Sequence, residues 1–523
     1  MTHVLTGCTA LAAVLVFCTA QTVSAAETGI TLKSVVDGLL GVIWSDWLIY
    51  FLLASGVVYS FLLRFFQIRM VREMIRLLLN EGSSQRGVSP FQALAMSISL
   101  RVGVGNIAGV ATAIGFGGPG AIFWMWALAI LGASTSFIEC TMAQAYKKNV
   151  DGEYRSGPAF YMEYGIGSKI YGMIFAACCI FVYGITAPGV QSNAISAAMG
   201  DTFNVSPVMT GVFVCAVLGF IIFGGVKRIA RVSQVVVPVM ALIYMVMALI
   251  IIGLNFASIP SVLALIFKSA MGVDAVYGGI MGSAIAWGVR RGIYSNEAGM
   301  GSAPHIAGAA EVSHPAKQGL VQAFSVYIDT LLVCTATAFM ILFTNAYNVS
   351  DGAQGFIVQN LAGVEAGPVF TIRAIETVFQ SYGGAFVSIA ILFFAFTTIM
   401  AFSYIGETNV VDMTPPGARK FTVPVFRCIL LISTFFGTLH TQALGWAIGD
   451  VGVGALVWIN LAALVFLAKK AMVILKDYET QKKAGKDPVF DPERLGLTNM
   501  DLWMTLKQKQ ETQIRETSPR AGE

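Results

Sequence analysis

The strongest constraint on this chain is a succession of apolar stretches of about 20 residues, the length an α-helix needs to cross a bilayer. Of its 523 residues, 56% are hydrophobic and 12% are charged, whereas soluble proteins average about 25% charged residues. The chain is therefore predicted to be an all-α polytopic membrane protein with about eleven spans. The predicted spans lie near Trp47–Leu63, Phe91–Phe116, Ile122–Tyr146, Ile170–Ala197, Val208–Gly224, Val235–Leu254, Tyr277–Ala309, Leu320–Phe343, Ala385–Tyr404, Val425–Leu439 and Ala443–Leu467.

The two ends of the chain carry different signals. Residues 1–26 contain the apolar run Leu11–Phe17 and end in small residues, which predicts a secretory signal peptide. Lys and Arg are concentrated in alternate loops, so the positive-inside rule predicts a mature N-terminus outside and a C-terminus in the cytoplasm. The expected location is the inner (plasma) membrane, with the lipid bilayer as a partner and no nucleic acid. The charged tail, residues 471–523, is expected to be a solvated cytoplasmic segment.

Two Gly-x-Gly sequences interrupt long apolar stretches. The first is Gly103-Val104-Gly105 in the second predicted span, and the second is Gly299-Met300-Gly301 in the seventh. Glycine weakens a helix by about 1 kcal/mol relative to alanine, and a break in a spanning helix survives only where protein or a cavity satisfies the freed backbone groups. A matched pair of broken spans indicates the binding site of a secondary transporter.

The loop charges place the two interrupted spans in opposite directions across the bilayer, which predicts an inverted repeat. Residues 27–90 are assigned to a periplasmic lead, a peripheral first span and a cytoplasmic amphipathic segment. Residues 91–257 then form the first repeat (spans 2–6), and residues 258–470 form the second (spans 7–11). One half is expected to rock against the other around a site at the midplane, which gives alternating access.

Several longer motifs resemble those of the alanine or glycine:cation symporter family, the sodium:alanine symporters. These motifs are Gly117–Gly132, Ser295–Pro304, Asn106–Ala111 and His314–Leu320, and the likeness extends from about Trp47 to Lys470. The resemblance implies a LeuT-type fold, a 5+5 inverted repeat with one extra peripheral N-terminal helix. It also implies uptake of small neutral amino acids such as alanine, glycine or serine, with sodium as the coupling ion and no other cofactor.

The resemblance also implies where the substrate binds. Residues 103–106 are similar to the broken first core helix of neurotransmitter:sodium symporters, where loop amides hold the substrate carboxylate and an Asn side chain helps to hold sodium. Half-helix N-termini supply N–H groups for such a carboxylate, and unwound carbonyls near Gly299 and Ser302 are expected to accept from the ammonium. The predicted substrate-binding residues are Gly103, Val104, Gly105, Asn106, Gln191, Gly299, Met300, Gly301, Ser302 and Phe402.

Sodium prefers hard oxygen ligands, and four residues are predicted to supply them. They are Val102 through its carbonyl, Asn106 through its amide oxygen, and Thr397 and Thr398 through their hydroxyls. The two threonines lie in the span that is equivalent to the family's sodium-contacting eighth core helix. The alternative for both is a hydrogen bond to a carbonyl of their own helix.

Ionisable residues at membrane depth are functional candidates. Arg101 adjoins the first interruption and is expected to pair with a carboxylate as a cytoplasmic gate. Glu297 adjoins the second, where an ion pair and direct cation binding both stay open. Glu139 and Asp329 are two further ionisable residues inside predicted spans.

Three other functions are compatible with a membrane chain of this kind. One is symport of the same substrates with protons, carried by Glu297 or His305. A passive channel needs a continuous selectivity lining, and the chain has no repeated filter motif. A membrane enzyme needs a nucleophile–base set or a metal cluster, and neither pattern is present, so no catalytic activity is predicted. The oligomeric state stays open.

Overall fold

The computed structural model describes residues 32–78, 87–352, 355–439 and 442–508. The predicted signal peptide and residues 509–523 of the tail lie outside these ranges. The described chain is mostly helical. In the first half the helices are α1 (Leu32–Ile43), α2 (Asp46–Leu62), α3 (Phe66–Arg69), α4 (Val71–Leu78), α5 (Pro90–Arg101), α6 (Ala108–Gly117), α7 (Gly120–Ala145), α8 (Pro158–Phe160), α9 (Lys169–Phe181), α10 (Ala187–Phe203), α11 (Pro207–Ile222) and α12 (Val226–Leu254).

The second half continues the helical pattern. Its helices are α13 (Ile259–Ala270), α14 (Met281–Asn296), α15 (Ala303–Ala309), α16 (Pro315–Val326), α17 (Thr335–Phe343), α18 (Pro368–Phe379), α19 (Tyr382–Met413), α20 (Pro416–Leu439) and α21 (Gln442–Lys483). Wider π-helical turns occupy Tyr161–Ile166, Val182–Thr186 and Tyr327–Cys334, and short 3₁₀ turns occupy Val104–Asn106, Phe256–Ser258 and Gly278–Ile280.

Two small antiparallel hairpins join helices. Strands β1 (Lys148–Val150) and β2 (Glu153–Arg155) follow α7, and strands β3 (Asn348–Ser350) and β4 (Phe356–Gln359) follow α17. In the first hairpin Lys148 pairs with Arg155. In the second, the register shifts between Val349 and Ser350.

Among the described residues, eight helical segments are long and apolar enough to cross a membrane. They correspond to eight of the predicted spans. The other three predicted spans are the two interrupted ones, each divided into shorter helices, and α11, which has 16 residues. The chain is thus a multi-pass helical membrane protein, and the count of eleven stays a prediction.

Burial separates the inner helices from the peripheral ones. In α12, Val239, Leu242 and Leu249 are each more than half exposed, as expected of a face that meets lipid rather than water. In α7, by contrast, the whole stretch from Ala133 to Ala145 is buried. The centre of the bundle therefore lies around α7 and the two interrupted helices, which pack against it.

The two interrupted helices run antiparallel to each other. Helix α5 begins beside the end of α15, where the Val88 N–H donates to the Ala309 carbonyl (3.1 Å). At the opposite face, the end of α6 meets the start of α14, and Ser283 Oγ donates to the Phe116 carbonyl (2.7 Å). The layout of the full 5+5 repeat stays a prediction. Residues 102–107 are called the first break below, and residues 297–302 the second break.

A capping box fixes the start of the first interrupted helix. Ser89 Oγ accepts from the Gln92 N–H, the Gln92 side chain accepts from the Ser89 N–H, and Pro90 occupies the first helical position. This pattern is a strong local signal for a helix N-terminus. The predicted amphipathic segment is also helical: in α4, Met74 and Leu77 are buried and the arginines are exposed.

The described part of the tail packs against the bundle at a few points. Helix α21 continues to Lys483, and residues 488–508, called the tail strap below, fold back over the ends of α7 and α16. Phe490, Met500 and Trp503 are buried. The Phe490 N–H donates to the Ser313 carbonyl (3.0 Å), and Trp503 Nε1 donates to the Gln144 carbonyl (3.0 Å). These few apolar side chains bury surface despite the surrounding charge, whereas most other residues of the strap are exposed or partly exposed. The solvated cytoplasmic tail stays a prediction.

Candidate functional site

A small cavity lies between the two breaks. The first break contributes Gly103 and Gly105 to its wall, and the second contributes Glu297 and Met300. Helix α10 adds Gln191, and helix α19 adds Thr398 and Phe402. The structure thus brings residues from both halves of the sequence to one space, as expected for a binding site in a bundle.

The rest of the cavity wall is largely apolar or aromatic. Tyr183 and Tyr294 lie on it, together with the smaller Ala187 and Val453. The Tyr183 and Phe402 rings pack with their centroids 5.0 Å apart. These large side chains leave room for a small ligand only.

The amides of the first break are held by neutral side-chain oxygens. The Gly103 N–H donates to Asn106 Oδ1 (2.9 Å), and the Val104 N–H makes a longer bond to Gln191 Oε1 (3.4 Å). Asn106 Nδ2 donates in turn to Asp329 Oδ1 (2.6 Å). Val104 and Asn106 are fully buried and stand behind the cavity wall rather than on it.

The amides of the second break donate to a carboxylate rather than to neutral oxygens. Gly299 and Gly301 have φ values of 88° and 83°, a conformation that favours glycine. Their N–H groups donate to the carboxylate of Glu139 on α7, each at 3.2 Å. Gly299, Gly301 and Ser302 lie outside the cavity wall, and Met300 between the two glycines is on it.

The four predicted sodium ligands differ in their position relative to the first break. Thr398 Oγ1 lies 2.9 Å from two carbonyl oxygens, that of Ser99 in the last turn of α5 and that of Phe394 in its own helix, so α19 contacts the end of α5 through this hydroxyl. Thr397 Oγ1 also donates to the Phe394 carbonyl (3.0 Å), but its other neighbour is the Met240 sulfur rather than α5. Val102 follows directly after α5. The structure therefore places the Thr398 hydroxyl beside the first break, next to Gly103, and Thr397 away from it. The amide oxygen of Asn106, the fourth predicted ligand, accepts from the Gly103 N–H.

Arg101 does not form the predicted ion pair with a carboxylate within the described residues. Its guanidinium donates to the Gln322 carbonyl (3.0 Å), to Ser325 Oγ and to Ser136 Oγ (3.0 Å). Because α16 and α7 present these hydroxyls and this carbonyl at the end of α5, the charge is solvated by neutral groups. The arginine still borders the cavity.

Two buried carboxylates near the breaks have contrasting surroundings. Glu297 lines the cavity, and its Oε2 atom has no hydrogen-bond partner among the residues that the structure describes. Asp329 accepts hydrogen bonds from Asn106, Ser295 and Thr330. The carboxylate of Asp329 is thus occupied by hydrogen bonds within the protein, whereas Glu297 Oε2 is available to accept a hydrogen bond from a ligand.

Buried ion pairs link the helices around the site. On the side of α14, Arg291 Nη2 lies 3.0 Å from Asp450 Oδ2. On the side of the β1–β2 hairpin, Glu407 is paired with Arg155 at 2.8 Å and with Arg427 at 2.7 Å. All of these groups are largely buried, so separating any of these pairs is costly.

Several residues of the site were not predicted from the sequence. Tyr183, Tyr294 and Val453 look like ordinary apolar core in the sequence, and no local signal separates them. Asn460, which contacts the second break, is the exception, because it is the single amide side chain within the apolar run Leu456–Leu467. A polar residue of this kind in a spanning helix is a usable signal.

These features define a multi-pass membrane protein with a small central cavity between two antiparallel broken helices. Residues 29–492 match the model of the sodium:alanine symporter family, and the chain belongs to this family. The family resemblance identified from the motifs is thereby confirmed.

Three relatives are matched over nearly their whole length. The chain is 55% identical to the carrier protein YrbD of Bacillus subtilis (strain 168), over 90% of this chain and 97% of the relative. It is 48% identical to the sodium/proton-dependent alanine carrier protein of Bacillus sp. (strain PS3), over 82% and 97% respectively. It is 42% identical to the probable sodium/glutamine symporter GlnT of Bacillus subtilis (strain 168), over 93% and 100%.

Proposed function

We propose that this protein is a secondary active symporter that couples sodium influx to the uptake of small neutral amino acids across the inner (plasma) membrane. The proposed substrates are alanine, glycine and the similarly small serine. The observation that carries the proposal is the small cavity at which two antiparallel broken helices meet. Family membership and the name of the alanine carrier relative support it. Alternating access follows if the two five-helix halves rock against each other.

The substrate carboxylate is assigned to the first break. There the N–H groups of Gly103 and Val104 donate to neutral amide oxygens, and the bond from Val104 is long. A carboxylate is a stronger acceptor than an amide oxygen and can replace it. The N-terminus of α6 adds a favourable dipole.

The substrate ammonium is assigned to Glu297 on the opposite wall. The unpartnered Oε2 atom of this buried carboxylate needs a donor, because a buried charge without one is strongly unfavourable. The substrate side chain then faces Met300 and Phe402. The packing of Phe402 against Tyr183 limits the space available to that side chain and supports a small amino acid.

The sodium ion is assigned to oxygens at the end of α5. The last carbonyls of a helix lack intrahelical partners, and here they include those of Ser99 and Val102. Thr398 Oγ1 lies 2.9 Å from the Ser99 carbonyl oxygen and adds a third ligand from α19. The negative end of the α5 dipole favours a cation at the same place.

Two adjacent threonines provide a matched test in proteoliposomes. Both hydroxyls lie within hydrogen-bond distance of the Phe394 carbonyl, but Thr398→Val also removes the oxygen beside the Ser99 carbonyl, the proposed ligand, whereas Thr397→Val does not. We expect sodium-dependent accumulation of radiolabelled alanine in the wild type, and a rise of about tenfold or more in the sodium concentration for half-maximal uptake in Thr398→Val only. Accumulation without a cation gradient, or equal effects of the two substitutions, would contradict the proposal.

Proton coupling is the second candidate, and a specific observation favours it. Three buried carboxylates, those of Glu139, Glu297 and Asp329, lie around the breaks, and Arg101 forms no ion pair with any of them in the described structure. Protonation of Glu297 would reduce this excess of negative charge. Uptake driven by a pH gradient in the absence of sodium, and abolished in Glu297→Gln, would establish proton coupling in place of sodium coupling.

A further inference from the structure

Glu139 is a buried carboxylate whose two oxygens both face the second break. Oε1 accepts from the Gly299 N–H and Oε2 from the Gly301 N–H. Glu139 is fully buried and lies outside the cavity wall, so it holds the break from behind. It is therefore suited to position the break rather than to contact the substrate.

A second layer of side chains fixes this carboxylate. Asn460 Nδ2, from α21, donates to Glu139 Oε2 (2.9 Å) and to the Gly299 carbonyl (2.9 Å). The Tyr161 hydroxyl donates to Asn460 Oδ1. Each of these hydrogen bonds to Glu139 comes from an N–H donor, which is the environment of an ionised carboxylate.

The neighbouring side chains leave the two glycines little room for another arrangement. A Cβ added at Gly301 would lie 2.8 Å from Phe175 and from Pro158, and one at Gly299 would lie 3.0 Å from Thr135. The backbone is thus held with both N–H groups directed at one anion. The amides of the second break thus form an anion-binding site, and the carboxylate of Glu139 occupies it.

The first break differs from the second in the charge of the groups that accept from its amides. Its amides donate to Asn106 and Gln191, which are neutral. An incoming carboxylate can replace a neutral acceptor there, whereas at the second break it would meet a fixed negative charge. Like charges repel strongly where water is excluded.

We propose that Glu139 is a positioning residue that determines the orientation of the bound amino acid. Its negative charge occupies the donors of the second break, so the substrate carboxylate binds at the first break alone and the ammonium faces the second. This inference rests on the proposed function, because it requires a zwitterionic substrate in the cavity. The charge also disfavours anions that lack an ammonium group.

The test compares two ligands of nearly equal size, L-alanine and L-lactate, in which a hydroxyl replaces the ammonium. Glu139→Gln keeps the shape of the side chain and removes its charge. We expect the KM for alanine to rise about 10- to 100-fold, with a smaller change in the maximal rate per transporter. The ratio of the lactate inhibition constant to the alanine KM should fall about tenfold or more, because the repulsion of the anion is lost.

Thr141→Val on the same helix is the matched control. Thr141 is also fully buried, and its hydroxyl has no hydrogen-bond partner within the described residues. We expect this substitution to leave the lactate-to-alanine ratio unchanged. A residue with a merely structural role would lower the amount of folded protein without changing that ratio, so an unchanged ratio in Glu139→Gln overturns the inference.

The wild type supplies a second measurement that does not depend on the folding of a variant. Alaninamide keeps the ammonium and loses the carboxylate charge, and we expect it to inhibit alanine uptake more strongly than lactate does. Equal or stronger inhibition by lactate overturns the inference even if Glu139→Gln fails to fold. If the wild type accumulates no alanine, the proposed function fails and the orientation inference falls with it. If it accumulates alanine and only the ratios disagree, the orientation inference alone fails.

Discussion

The substitution Gly103→Ala tests whether the first break has room for a single methyl group. Gly103 has φ −134° and ψ −154°, which alanine can adopt, so the backbone itself is not the obstacle. The added Cβ would lie 2.7 Å from Thr398 Oγ1 and 3.5 Å from Gln191 Oε1. The first distance is too short for a carbon–oxygen contact, and therefore the Thr398 hydroxyl must move away from the Ser99 carbonyl.

The size of the effect follows from this collision. Adding a methyl group to a closely packed site costs about 1–3 kcal/mol, and each 1.4 kcal/mol is about a tenfold change in affinity. If the cost falls on the proposed sodium site, the sodium concentration for half-maximal uptake should rise about 5- to 150-fold. Some of the cost will also lower the thermal stability of the folded protein.

Sodium-dependent alanine uptake in proteoliposomes measures this effect, and two further variants interpret it. Gly109→Ala is the control, because its added Cβ would have only Arg291 Cδ within reach, at 3.9 Å. In the double variant Gly103→Ala/Thr398→Ala the collision is relieved, since the added Cβ lies 3.6 Å from the Thr398 Cβ. We expect the double variant to recover stability without recovering sodium affinity. Wild-type sodium affinity in Gly103→Ala would refute the reasoning.

Three other predictions concern the substrate site and the surface. Asn106→Ala leaves the Gly103 N–H without its partner and removes one of the donors to Asp329, at about 1–3 kcal/mol for the unsatisfied N–H. Radiolabelled alanine uptake should be lost, and near-normal uptake would argue against the site. Phe402→Ala removes the ring that packs against Tyr183, so larger amino acids such as leucine should compete with alanine about tenfold better than in the wild type; an unchanged competition profile would exclude Phe402 as a size limit. Burial holds the pKa of His314 below its usual value, so the unfolded chain takes up a proton first and the melting temperature should decrease as the pH falls below about 6.5. The decrease should be smaller in His314→Gln, and an equal decrease in both proteins would assign the pH dependence to other groups.

The sequence predicted the two breaks because a pair of glycines weakens an apolar helix at one defined point. It also predicted that Gly103, Gly105, Gln191, Met300 and Phe402 contribute to one substrate site, and the structure places all five around the same cavity. The glycines permit other groups to approach the backbone closely, and the other residues differ in chemical type from the residues around them in the sequence. Such features are visible in a single sequence.

Other parts of the site depend on packing between distant segments, which a single sequence does not reveal. Arg101 was expected to meet a carboxylate, but the partners that α16 brings to it are a hydroxyl and a carbonyl. Thr397 and Thr398 are adjacent in the sequence, and only the rotation of α19 distinguishes the one that reaches the first break. Aromatic wall residues such as Tyr183 resemble the many other aromatic residues of the bundle.

The tail strap has a consequence for biosynthesis. Trp503 and Phe490 cover the ends of α7 and α16, yet the ribosome makes them after every spanning helix has been synthesised. Until translation ends, that surface stays uncovered in the nascent protein, and apolar surface of this kind attracts chaperones and aggregation. In a chain truncated before residue 488 this surface would stay uncovered permanently. We expect quality-control proteases to degrade such a truncated protein.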